Sequence, residues 1–145
     1  MTSTTALCLE TTARGRAAAA LQLCGAALIV TGAALPWLTL FAGLQAYRGI
    51  IGWNGRGMLV AGAVVALGGV AALAGRAGPL VRRGVSLLAA LVGGSAIVLV
   101  VRLIAMWRDL VSRDAMMVAR PGIGLPVVVV GAIVAAAAIF VEGGR

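Results

Sequence analysis

Apolar residues in this chain run in long unbroken blocks instead of alternating with polar ones. A helix needs about 20 such residues, at about 1.5 Å each, to cross the hydrocarbon of a bilayer. Four blocks meet that length, over residues 17–38, 57–75, 85–107 and 125–141. Polar residues, glycines and prolines collect between them, in Thr39–Arg56, in a short basic stretch Arg76–Gly84, and in Arg108–Gly124. The pattern predicts an all-α fold, an integral membrane four-helix bundle. Residues 1–16 read as a disordered cytoplasmic leader and residues 17–145 as a single four-span domain.

The breaker residues agree with these limits. Pro36 falls near the end of the first span and Pro79 in the basic connection. Pro121 and Pro126 bracket the start of the fourth, where a missing N–H costs least. Gly52, Gly55 and Gly57 surround Trp53 and Asn54, a turn signature just before the second span. Arg14 and Arg16 before the first span also suit a secretory signal peptide. The apolar stretch after them, however, is long and runs into Leu35-Pro36-Trp37, which lacks the small residues of a cleavage site. The first span is read as retained. Cys24 follows Leu21-Gln22-Leu23 and so lacks the small residue that precedes a lipidated cysteine. Cys8 and Cys24 are expected on different sides of the headgroup boundary, which disfavours a disulfide between them.

Composition sharpens this picture. Of the 145 residues 62% are hydrophobic and 11% charged, against about 45–50% and about 25% in soluble domains. The chain has no histidine, which removes imidazole metal ligands and histidine-based catalysis. The net charge of +8 comes entirely from arginines. They flank the spans, as headgroup anchors do, and do not form the aromatic-laced basic face of a nucleic-acid binder. No nucleic-acid partner is expected.

Four spans put both termini on one side, and the arginines then divide six to six between the two faces. Position breaks the tie. Arg76, Arg82 and Arg83 crowd a short connection, and Arg14 and Arg16 directly precede the first span. The positive-inside rule therefore places both termini in the cytoplasm of a bacterial cell, in its cytoplasmic membrane. Trp37, Trp53 and Trp107, with Tyr47, all fall at the opposite boundary, where indoles are favoured. These three tryptophans and Arg76, Arg82 and Arg83 are the expected interfacial anchors. The balanced arginine count also permits insertion in both orientations, against which the one-sided tryptophans argue.

Small residues mark close helix contacts in lipid. Candidate pairs are Gly62 with Ala66, Gly68 with Ala72, Ala71 with Gly75, Ala89 with Gly93, Ala90 with Gly94, and Gly131 with Ala135. Glycine and alanine are so common here that the pairs imply tight packing without naming one interface.

Arg102 is the one ionisable residue inside an apolar block. It lies five residues before Trp107, about 7.5 Å at 1.5 Å per residue. It either snorkels to the headgroups or holds an anion or a partner carboxylate. Arg102, Met106, Asp109 and Arg113 share one face if the third helix continues past the membrane. Arg102, Asp109 and Arg113 are thus the candidate partner- or anion-binding residues. Asp109 and Asp114, five apart, point about 140° from one another and make no carboxylate pair. No catalytic set, cofactor motif or metal-ligand cluster is recognised, and no acid lies within a span to carry a proton. The last point argues against a proton-coupled exporter of the small drug-resistance type. The features of the four-span fluoride channels are not recognisable either.

The residues Leu35-Pro36-Trp37 closing the first span, and Gly52-Trp53-Asn54-Gly55 opening the second, resemble those of small four-span membrane proteins of high-GC Gram-positive bacteria. Most of these are of unassigned function, so the resemblance implies the architecture and no activity. The leading expectation is a non-enzymatic polytopic membrane protein, an accessory or structural subunit of a larger complex, in contact with lipid and other membrane subunits. The alternative is a small homo-oligomeric channel or transporter for an anion or small solute.

Overall fold

The computed structural model describes the backbone of residues 3–40, 45–113 and 120–143, with side chains within 13–39, 46–108 and 120–141. Four helices form the bundle: α1 (Ser3–Ala34), α2 (Trp53–Leu73), α3 (Pro79–Arg113) and α4 (Gly124–Gly143). All four contain a stretch long and apolar enough to cross a membrane. The chain is a polytopic, multi-pass membrane protein. The sequence does not announce the other layer, a three-stranded antiparallel sheet of β1 (Pro36–Leu40), β2 (Gln45–Arg48) and β3 (Arg120–Pro121), in the order β2-β1-β3. It caps one end of the bundle, the sheet end. Arg14, Arg16, Arg76, Arg82 and Arg83 occupy the opposite, basic end.

The limits of the spans differ from those expected. The segment read as a disordered leader is helical from Ser3 and belongs to α1. The first helix stops at Ala34, short of Leu38. Leu35 precedes a proline, which disfavours the α conformation, and the apolar Pro36–Leu40 enters the sheet instead. The third helix starts at Pro79, well before Val85, with the proline at its first position, where no N–H is needed. Arg82 and Arg83 are therefore in the first turns of α3 and not in a loop. The Arg82 N–H already donates to the Gly78 carbonyl at 3.2 Å.

The α2–α3 turn is built by Gly75, whose φ of +69° is the left-handed value that favours glycine. The Arg76 N–H reaches back to the Ala71 carbonyl at 2.9 Å and the Gly75 N–H to Ala72 at 3.2 Å. These two bonds are the Schellman closure of a helix C-terminus.

The break after α1 has its own chemistry. Pro36 has no N–H to offer the Gly32 carbonyl, its usual partner four residues back. The Trp37 indole N–H takes that place at 3.1 Å. The ring is buried, 7% exposed, and packs where a side chain on Gly49 or Gly124 would stand. The Gly122 N–H donates to the Trp37 carbonyl at 2.8 Å and the Thr39 hydroxyl to the Arg120 carbonyl at 3.2 Å. The connections after α1 and before α4 are thereby joined into one cap.

Packing in the bundle is uneven. Among neighbouring helices of the bundle, the most extensive contact joins α1 to α4, antiparallel, and the least extensive joins α2 to α3. Gly25 and Gly32 of α1 face Gly131 and Gly124 of α4, each pair seven residues apart. A Cβ on Gly25 would come within 2.5 Å of the Gly131 carbonyl oxygen, and one on Gly32 within 2.7 Å of the Val128 nitrogen. Backbone touches backbone along this seam. Of the candidate small pairs, Gly131 and Ala135 lie in it, and Ala89 and Gly93 are buried against the bundle. Ala90 and Gly94 face outward. Inside the basic half, the Gln22 amide donates to the Ser86 hydroxyl at 3.0 Å, joining α1 to α3 with both side chains 1% exposed.

Candidate functional site

Loose contact between α2 and α3 leaves a cleft of about 720 Å³ on the flank of the bundle, in its sheet-end half. Met58 and Val92 lie buried along it, and Leu91, Val98 and Leu99 extend its apolar wall. Trp53 and Asn54, in the first turn of α2, and Arg102 of α3 line it as well. The Ser95 hydroxyl, also in the lining, is turned back to the Val92 carbonyl of its own helix at 2.8 Å. That bond leaves Arg102 and Asn54 as the polar groups of the cleft.

Arg102 is exposed, and the side chains of all four acids lie outside the described residues. Its partners in the lining fix its level. It shares the cleft with Trp53, Asn54 and Gly57, the first turn of the second span. Arg102 therefore stands level with the start of α2, and α3 continues beyond it to Arg113.

The other expected anchors take different positions. Trp53 is 87% exposed at the mouth of the cleft, with the Arg56 guanidinium 6.0 Å from its ring centre, a cation–π distance. Arg56 is steadied by a bond from its Nε to the Ile50 carbonyl at 3.3 Å. Trp107 is half-buried. Trp37 departs from the expected role. Its ring is buried under the sheet and its N–H is spent on Gly32, so it presents no indole to the headgroups. Arg76 and Arg83 are exposed, whereas Arg82 is half-buried with its guanidinium against Gly15 of α1. The backbone of Asp109 and Arg113 continues α3, but their side chains, and so their expected binding role, lie outside the described residues. Cys24 is a free, exposed thiol on α1.

A second, shallower groove of about 280 Å³ runs between α3 and α4. Its floor is made of small residues, among them Ala90, Gly93, Ala136 and Ala137, with Ile133 and the exposed Phe140 as its rims. Its α3 residues, Ala90 and Gly93, come from two different candidate pairs, and chain-wide abundance of small residues conceals which of them face outward.

No protein-family model matches the chain, and neither does any curated protein or solved structure.

Proposed function

We propose that this membrane protein is a non-enzymatic accessory or structural subunit of a larger membrane complex, docking through the α3–α4 groove. The observation that carries the reading is that small-residue floor. Helices in lipid associate by close packing, and alanine and glycine let a partner helix approach the backbone. Ile133 and Phe140, two turns apart on α4, would pack along one side of such a helix. Consistent with this, α3 is the least enclosed helix, with 22% of its most apolar stretch buried against 44% for α1.

We further place the protein in the bacterial cytoplasmic membrane with both termini cytoplasmic. Arg14, Arg16, Arg76, Arg82 and Arg83 at one end support this, through the positive-inside rule. Reporter fusions to each terminus test it, and a signal from the outer face overturns it.

Purification from the native membrane in mild detergent tests the main reading. The wild-type chain should bring other subunits with it. Ala90→Trp, which fills the groove from an exposed position, should release them while the chain still elutes as a folded species. A lone, monodisperse wild-type protein would refute the subunit role.

A further inference from the structure

We propose that the α2–α3 cleft is a binding site for one anionic phospholipid, its phosphate held by Arg102 and its acyl chain laid along Met58, Leu91 and Val98. The inference rests on the membrane fold and is independent of the subunit reading, which uses the opposite flank of α3.

Three observations carry it. The cleft is polar at one end and apolar along the rest, with its polar groups level with the start of α2. A phospholipid has the same division over the same length, because its phosphate lies at the headgroup level and its chains below. Charge is the second. Arg102 brings a guanidinium to the lining, and Trp53 at the mouth carries a second, that of Arg56, 6.0 Å from its ring centre. An anionic occupant would match that charge. A guanidinium pairs with phosphate oxygens through paired, charge-assisted hydrogen bonds, and Asn54 adds an amide donor. The first turn of α2 adds the positive end of a helix dipole, with no side-chain cap on Gly52 to use it. Third, the floor is sunk. Met58 and Val92 are 4% and 6% exposed, below the rims formed by Leu91 and Val98. A chain lying there touches both helices at once, unlike a lipid passing over a convex flank. A transmembrane helix of a partner would fill the apolar length but would need an acid at the headgroup level to meet Arg102.

Native mass spectrometry of the full-length protein in mild detergent, titrated with phosphatidylglycerol, phosphatidylcholine or diacylglycerol, provides the test. One phosphatidylglycerol per chain should be retained, with diacylglycerol held about tenfold more weakly because it lacks the phosphate. Arg102→Gln should lower phosphatidylglycerol retention by about the same factor. Val98→Trp should abolish it by filling the groove. Arg83→Gln, at the basic end, should leave it unchanged. Equal retention of diacylglycerol and phosphatidylglycerol would overturn the proposal, as would equal losses in Arg102→Gln and Arg83→Gln. A dimer broken by Val98→Trp would assign the cleft to a second copy of the chain and likewise overturn it.

Discussion

The two helix seams on opposite sides of this bundle use the same small and aliphatic residues to different ends. Between α1 and α4, glycines at Gly25, Gly32, Gly124 and Gly131 bring backbones together until no side chain fits. Between α2 and α3 contact is looser and leaves a cleft lined by Met58, Leu91 and Val98. Neighbours in sequence are thus the looser pair and the first and last helices the tighter. In lipid, burying an apolar surface against another brings little, so contact is decided by how closely backbones can approach. Glycine placement, not hydrophobicity, sets which seam closes and which stays open.

The comparison breaks first at the tight seam. Gly32→Leu should destabilise the fold by about 3 kcal/mol, since the new side chain meets backbone that only helix separation can clear. Denaturant titration in detergent micelles should show it as a large fall in the unfolding midpoint. A midpoint near wild type would mean that the seam is not closed in the membrane.

Trp37→Phe comes next. It keeps the ring but leaves the Gly32 carbonyl with neither a proline N–H nor an indole, a loss of about 1–3 kcal/mol for a buried unsatisfied group. The same titration, with the loss of a shielded tryptophan emission, checks it.

A smaller effect is expected at the α1–α3 contact. Ser86→Ala should cost about 0.6 kcal/mol, the usual worth of a hydrogen bond between membrane helices. A double-mutant cycle with Gln22→Leu should return a coupling of that size. Zero coupling would show that the bond does not join the helices.

The smallest effect belongs to the open seam. Val98→Leu adds a methylene to a wall with room for it and should shift stability by less than about 0.5 kcal/mol. A shift as large as that of Gly32→Leu would erase the difference between the seams.

The four spans are legible in the sequence because hydropathy reports what a segment can be buried in. It does not report backbone conformation, and the errors follow from that. Leu35–Leu38 is as apolar as the helix before it, yet the helix ends before Pro36 and the chain continues from there as a strand. Arg82 and Arg83 interrupt the apolar run, yet they sit comfortably in the first turns of a helix that Pro79 starts. The sheet is hidden because β3 is only two residues long and pairs with a strand far away in the chain. Arg102 and Trp53 were visible as individual residues. Their meeting across one cleft was not, since it depends on where α2 begins relative to α3. Gly25 and Gly32 repeat at seven residues, so a four-residue spacing of small residues does not reveal them.

The α1–α4 seam has a consequence for biogenesis. Gly25 and Gly131 lie toward opposite ends of the chain, so their contact cannot form until the last helix has left the ribosome and entered the bilayer. Local helix pairs such as α2–α3 can close early, while distant ones bear the cost of a long loop. Until then α1 waits in lipid with its glycine face uncovered. A chain cut short before α4 would keep that face exposed, a surface open to capture by neighbouring helices and to recognition by membrane proteases.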